Sequence, residues 1–318
     1  MDNKSFTSAD VQVPIKILHD NDLVRTATQH NTILLRHLQL CPTNRCNLNC
    51  EFCSCGDREK HLELDLDTID TLLKDVQSLG CKAITITGGG EPLLHPNINE
   101  IIKKCKDRDI KVGLVTNGLL LDNLKEEVSW CRISFDSNRK FSELKEKVEL
   151  AWDSFIDIDW AFSFVLYDGF GDLDLVVEFA NQRKFTHVRV VADIFNPNDK
   201  LMGLIPNTLR KDGICDKRII YQPRNEPTRG SKKCLISLLK PTIGANGQIY
   251  PCCGAQYAIK DSKRDFIKEM SMGHIKDIKE IMNDQRYFDG SICDVCYYKG
   301  YNNILGLMTE KVEHKEWV

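Results

Sequence analysis

The segment "CPTNRCNLNCEFCSCG", residues 41–56, holds five of the chain's fourteen cysteines. Within it Cys46, Cys50 and Cys53 stand as C-x3-C-x2-C. Zinc sites usually pair a C-x2-C knuckle with two further ligands, whereas three thiolates alone leave one iron of a 4Fe-4S cluster open. Cys41 and Cys55 flank this spacing and are expected to pack beside the loop. A second set, Cys234, Cys252, Cys253, Cys293 and Cys296, lies near the carboxyl terminus. There, two separated ligands and the Cys293–Cys296 knuckle have the spacing to close a tetrahedral zinc site. Cys81, Cys105 and Cys131 sit in or beside apolar runs, where free cysteine behaves as a small hydrophobe.

The chain around these thiols has 318 residues, 42% of them apolar, enough for a sizeable core. No run approaches the ~20 apolar residues of a membrane span, and the amino terminus lacks the apolar stretch of a signal peptide. A soluble, cytoplasmic protein is expected, and in that reducing compartment clustered thiols point to metal rather than disulfides. A net charge of −3 gives no case for nucleic acid or a membrane as partner.

From about residue 34 to 192, short β-rich runs alternate with helical stretches, the pattern of repeated βα units and a parallel sheet. Six strands are read at 34–40, 83–87, 110–116, 130–135, 158–166 and 187–194. Leu66, Ile69, Leu72, Leu73, Val76 and Leu79 share one helical face, and Ile98, Ile101, Ile102 and Cys105 share another. Six units are too few for an eight-stranded barrel, so either a partial, open barrel or a doubly wound sheet fits. In both, the chemistry sits at the carboxyl ends of the strands, where Cys46, Cys50 and Cys53 fall. Three regions are expected: an extension over 1–35, a core over 36–212 and a small unit over 213–318. The last contains a hairpin around Asn246-Gly247 and a helix carrying Ile278, Ile281 and Met282.

"CNLNCEFC" resembles the signature of the radical S-adenosylmethionine (SAM) enzymes, and the resemblance extends over about residues 36 to 194. "GGGEP" (88–92) follows the second strand as that family's glycine-rich turn does, "TNG" (116–118) ends the third strand and "SFDS" (134–137) the fourth. The resemblance implies an α/β fold built on a partial (β/α)6 barrel. It also implies a 4Fe-4S cluster on Cys46, Cys50 and Cys53 whose unique iron chelates SAM, and one-electron cleavage of SAM to a 5′-deoxyadenosyl radical. Gly88, Gly89, Gly90 and Glu91 would then border SAM, with glycines letting backbone approach its amine. Asn117 and Ser134 would contact its carboxylate or ribose, and the backbone near Phe52 and Val190 its adenine.

After such a core, the carboxyl-terminal region resembles the twitch domain, a shortened SPASM domain. Cys234, Gly247 and Cys252 match that family's cysteine–glycine–cysteine element, and Cys293 with Cys296 supplies the closing pair. The resemblance implies a second, auxiliary 4Fe-4S cluster on Cys234, Cys252, Cys293 and Cys296; zinc remains the alternative. Cys253 is expected to point away from Cys252 if the segment is extended. A four-ligand cluster suits electron transfer. The expected activity is therefore oxidation of a small polar substrate (sugar, cyclitol or nucleotide), as in the aminocyclitol dehydrogenases, with a flavodoxin- or ferredoxin-type electron donor. Epimerisation, with Cys215 or Cys253 returning a hydrogen atom, stays open. So do a peptide-modifying maturase, although residues 1–35 are short for a leader-binding domain, and a non-catalytic zinc-stabilised module.

Asp136, Asp168, Asp193, Tyr167 and His95 are candidate bases near strand ends. The basic stretch from Arg210 to Lys240, which includes Arg224 and Arg229, reads either as a solvated linker or as an anion pocket for a phosphorylated or nucleotide-linked substrate.

Overall fold

Runs rich in Val, Ile and Phe form pleated strands, and the amphipathic segments between them form helices that bury one stripe on the sheet. The computed structural model describes residues 15–195, 219–222, 228–255 and 266–313. Helices α1 (Ile15–Leu18) and α2 (Asn21–His30) precede the sheet, and Asp20 caps α2 by accepting from Leu23 N at 2.9 Å. Six strands follow: β1 (His37–Leu40), β2 (Ala83–Ile86), β3 (Lys111–Thr116), β4 (Trp130–Asp136), β5 (Asp159–Leu166) and β6 (His187–Ala192). They lie in chain order, all parallel, as the alternating pattern predicts.

The crossovers carry α3 (Leu66–Ser78), α4 (Ile98–Lys106), α5 (Ser142–Ser154) and α6 (Leu173–Gln182). Asp65 starts α3 by accepting from Thr68 N at 2.7 Å. Ile69, Leu72, Leu73 and Val76 of its expected face are buried, as are Ile98, Ile101, Ile102 and Cys105 of α4. Each of these aliphatic side chains contributes about 1.5–3 kcal/mol through removal from water. On the same outer layer Phe141, Phe162, Phe179 and Phe185 pack edge to face or stacked under α5 and α6, with centroids 5.2–6.4 Å apart.

The sheet continues past both ends of this core. Strand β7 (Ile219–Gln222) pairs parallel with β6. Helix α7 (Ile236–Leu239) leads into the expected hairpin, β8 (Thr242–Ile243) and β9 (Gln248–Tyr250), whose turn holds Gly247 at φ +72°. Strand β8 lies parallel to β1, so the hairpin extends the core sheet itself. After α8 (Phe266–Met270), β10 (Gly273–His274) pairs antiparallel with β9 to complete, among the described residues, ten strands in one sheet. Helix α9 (Ile278–Asn283) buries Ile278, Ile281 and Met282, and α10 (Lys299–Met308) packs against α2 and α7. One continuous apolar cluster joins the core to Cys234, Leu238, Ile281 and Leu305 of the carboxyl-terminal region.

Among the described residues no helix is long and apolar enough to cross a membrane. Cys215 and five cations of the basic stretch, Arg210, Lys211, Lys217, Arg218 and Arg224, lie outside the described residues.

Candidate functional site

The concave face of the open barrel is not filled by side chains. Many of the strand residues that point inward are polar or small, and the strands enclose a cavity of about 710 Å³ lined by Gln39, Thr85, Arg132, Ala161, His187 and Arg189. At its end above the strands' carboxyl termini lie Cys46, Cys50, Phe52 and Cys53, together with Gly88, Gly89, Gly90, Glu91, Asn117 and Ser134. Val190 is not on that wall. It is fully buried in the apolar core, because the two-residue period of β6 turns Arg189 inward and Val190 outward.

The glycine turn is a cradle that no side chain fits. A Cβ on Gly90 would stand 2.1 Å from the Arg45 carbonyl oxygen, and one on Gly89 would stand 1.8 Å from Asn44 Oδ1. That Asn44 oxygen is buried and has no hydrogen-bond partner. Glu91, buried, accepts from Leu93 N at 3.0 Å, Thr116 Oγ1 at 2.7 Å and Asn117 N at 2.7 Å. Burial pushes its carboxyl above the usual range, against the three donors. Asn117 in turn donates from Nδ2 to Asn47 Oδ1 at 2.7 Å, which ties the cysteine loop to the end of β3. Arg139 donates to the carbonyls of Ser134 and Asn117, both at 3.0 Å, and so joins the ends of β3 and β4.

Burial raises the Cys46 and Cys50 thiols, with Asp136 adding to the effect at Cys50. A hydrogen bond between Cys53 and Cys55 pushes Cys53 up and pulls Cys55 down, helped at Cys55 by the charge of Arg58. Among the described residues no three cysteine, histidine or carboxylate side chains converge on a point that would hold a single metal ion. The thiolates of a 4Fe-4S cluster bind different irons and need no such point. Three thiols on one loop, a glycine cradle facing them and an open cavity beside them fit a cluster with a small-molecule ligand. Since its ligands must be thiolates, loading would release protons.

Of the candidate bases, Asp136 faces the cavity. Its carboxylate accepts from Asn138 N at 3.0 Å. His95 is buried and structural, with Nε2 2.8 Å from the Leu64 carbonyl and Nδ1 accepting from Asn97 N. Tyr167 donates to Glu51 and packs on Phe52 with centroids 5.5 Å apart, while Asp193 accepts from Phe195 N away from the cavity. Asp168 likewise stands off the cavity wall, its N–H held by Ser137 Oγ at 3.0 Å.

The second thiol set gathers where the segment after β9 meets α7 and α10. Burial pushes Cys234 up to about 12, with Cys296 and Cys293 adding to the shift, and Cys252 is raised by burial and then by Cys253 and Cys234. Cys293 is pushed to about 11 by burial, with Cys296 contributing. Two glycines close on these thiols: a Cβ on Gly230 would lie 2.9 Å from Cys293 Cβ, and one on Gly290 would lie 3.4 Å from Cys234 Cβ. Cys234 thus feels Cys252, Cys293 and Cys296 around it, a donor set that suits a four-ligand cluster, whose thiolates bind different irons. Cys253 points elsewhere: its sulfur lies 3.1 Å from the Tyr298 hydroxyl and lines the large cavity. The cavity therefore reaches from the first thiol set to the neighbour of the second.

Cys81 and Cys105, buried among aliphatic side chains and pushed up to about 12 by burial, are structural, as is Cys131. Sequence reasoning did not single out Asn44, Arg132, Arg139 or the position of Lys240. Their signal is visible only as polar residues alternating within strands or following the loop motifs.

A family model described as the radical SAM superfamily matches residues 40–151. A probable GTP 3′,8-cyclase of Methanocaldococcus jannaschii is 38% identical over 97 residues, 30% of this chain and 32% of that protein. A tungsten-containing aldehyde ferredoxin oxidoreductase cofactor-modifying protein of Pyrococcus furiosus is 34% identical over 98 residues, 30% of this chain and 28% of that protein. The chain thus matches about a third of the length of these curated relatives. Among solved structures, Streptococcus suis SuiB bound to its precursor peptide SuiA shares the fold with a TM-score of 0.59 and 16% identity, over 94% of this chain and 79% of that one.

Proposed function

Residues 40–151 belong to the radical SAM superfamily, and on that premise we propose that the chain is a radical SAM oxidoreductase acting on a small polar substrate held in the barrel cavity. The observation that carries this reading is the single cavity with Cys46, Cys50, Cys53 and the glycine turn at one end and Cys253, beside the second thiol set, at the other. When bound, a 4Fe-4S cluster with SAM supplies one-electron cleavage of SAM to a 5′-deoxyadenosyl radical able to take a hydrogen atom from carbon.

The chain's own residues have four tasks in this reading. Cys46, Cys50 and Cys53 hold the cluster, and the turn Gly88–Gly90, with Glu91 beneath it, presents backbone to SAM. Asn117 and Arg139 keep the cysteine loop and the strand ends in register. Asp136 is the carboxylate placed at the cavity to take a substrate proton. Cys234, Cys252, Cys293 and Cys296 would hold an auxiliary cluster, which when bound would supply an electron acceptor and so favour dehydrogenation as the outcome. The placement of Cys253 favours a second one, epimerisation, in which a thiol facing the substrate returns a hydrogen atom.

Anaerobic reconstitution followed by iron and sulfide counting, with an assay for 5′-deoxyadenosine from SAM and dithionite, tests the proposal. About eight irons per chain and deoxyadenosine are expected. Zinc with no deoxyadenosine would overturn it. Recovered substrate carrying solvent deuterium would mark epimerisation, and a two-electron-oxidised product would mark dehydrogenation.

A further inference from the structure

We propose that the floor of the cavity, between Arg132 and Lys240, is an oxyanion subsite that takes a doubly charged group of the substrate, foremost a phosphoryl group. The inference rests on the cavity being the substrate site. It names a recognition element that lies toward the amino ends of the strands, opposite the cysteine loop.

Arg132 projects from the inner face of β4, in register with Ala161 of β5 and His187 of β6. The small Ala161 leaves open the space that a larger inward residue would fill. The Arg132 guanidinium lies 5.5 Å from the centre of the Trp130 ring, and its Nε is buried without a hydrogen-bond partner. A guanidinium presents five donors in a fixed fork, so a buried one with an idle Nε leaves a strong donor unused. Lys240 reaches the same space from the end of α7, its Nζ 5.7 Å from the centre of the Tyr298 ring.

Both cations line the cavity, and burial lowers each, with Arg132 pushing Lys240 down further. Like charges held together and away from water are stabilised by an anion between them. Among the described residues no carboxylate provides one, and the groups that partly counter the two cations are the Cys253 thiol at both and the Tyr298 hydroxyl at Arg132. Asp20 on this wall is taken by Arg36 at 2.8 Å, and Asp159 is exposed at the rim. Glu91, at the opposite end, is consumed by its three donors, and Asp136 stands beside Cys50.

The remaining polar groups suit an oxyanion. Burial, reinforced by Arg132 and Arg189, pulls His187 down to about 3, so at neutral pH its ring is an uncharged hydrogen-bonding group. His37, lowered by burial and by Lys240, is neutral as well. Arg189 is held in place by Ser163 Oγ at 2.8 Å and adds positive potential. Two full charges with a planar fork match a phosphoryl dianion better than a single carboxylate.

The test is calorimetric titration of the full chain with inorganic phosphate, then with acetate, for the native protein and for Arg132→Gln, Lys240→Gln, Arg132→Lys and the surface control Lys232→Gln. Saturable phosphate binding is expected, weakened about tenfold or more by either neutralisation, as loss of a charge-assisted hydrogen bond implies. Arg132→Lys should retain part of the binding and Lys232→Gln all of it. Phosphate binding that ignores both neutralisations, or acetate binding as tight as phosphate, overturns the subsite. If Arg132→Gln fails to fold by circular dichroism, Lys240→Gln reads the same site.

SAM binding to the reconstituted variants separates this inference from the one beneath it. Native SAM binding without the phosphate contrast removes the subsite alone. A phosphate contrast without any SAM binding removes the radical SAM reading and leaves an anion site standing.

Discussion

The Glu91 carboxylate accepts the main-chain N–H of Asn117 at 2.7 Å, and by this bond the glycine turn after β2 is fastened to the end of β3. The same carboxylate serves Thr116 and Leu93, so its removal strands three donors in a buried place. Glu91→Ala should destabilise the protein by about 3 kcal/mol or more, and Glu91→Gln, which cannot accept from all three, by about 1–3 kcal/mol. Urea unfolding monitored by circular dichroism measures both, and equal midpoints for the native protein and Glu91→Ala would refute the bracing role.

Cys252 and Cys253 are adjacent in sequence but face different neighbourhoods, one the second thiol set and the other the cavity. In reconstituted protein Cys252→Ala should lose about four irons, the content of one cluster, while Cys253→Ala should lose none. Iron analysis with Mössbauer spectra decides between them. The reverse pattern would reassign the ligand.

Gly113 sits under the Trp130 indole, where a Cβ would stand 2.1 Å from the ring. Gly113→Ala should therefore push Trp130 off its seat beside Arg132 and destabilise the chain by about 1–3 kcal/mol. A change in tryptophan fluorescence and a lowered melting temperature are expected. A native spectrum with an unchanged melt would show that the space is not filled as described.

Asp70 on α3 gathers Lys74 at 2.8 Å, Lys104 at 3.3 Å and Arg108 at 2.8 Å. The hydrogen bond from Lys74, with those from its other partners, lowers it to about 2. Because its folded value lies below the unfolded one near 4, the unfolded chain binds more protons between them, and stability rises with pH across that window. Asp70→Asn should lower the melting temperature at pH 7, by an amount that shrinks as pH falls and is small by pH 2. A deficit that persists unchanged at pH 2 would mean that packing, not charge, is responsible.

The six core strands could be read from the sequence because each needs only its local run: "IKVGLVT" reads as residues 110–116 and forms Lys111–Thr116. The helical faces were equally local, as Ile98, Ile101, Ile102 and Cys105 show. The cysteine loop, the glycine turn, Asn117 and Ser134 could be placed together because each ends a strand of a parallel sheet, and such ends share one side. The direction of the Val190 side chain could not be read, since a single residue's shift along β6 decides between core and cavity. Arg132 was harder still. In "WCRISF" the alternation of apolar and polar residues is the same whether the polar side meets bulk water or a hollow interior. The pairing of β8 with β1 joins residues about 200 apart and has no local signal.

That last pairing also decides how the folded chain behaves among its own copies. The main-chain N–H groups of Arg36, Gln39 and Cys41 on the outer side of β1 are taken by the carbonyls of Leu239, Pro241 and Ile243. Remove this strip and β1 becomes a bare parallel edge flanked by aliphatic side chains, open to a strand from a neighbouring molecule. The carboxyl-terminal third is thus a guard against self-association as well as a carrier of thiols. A version cut back to the barrel alone should be recovered mainly as aggregate, whatever its cysteines hold.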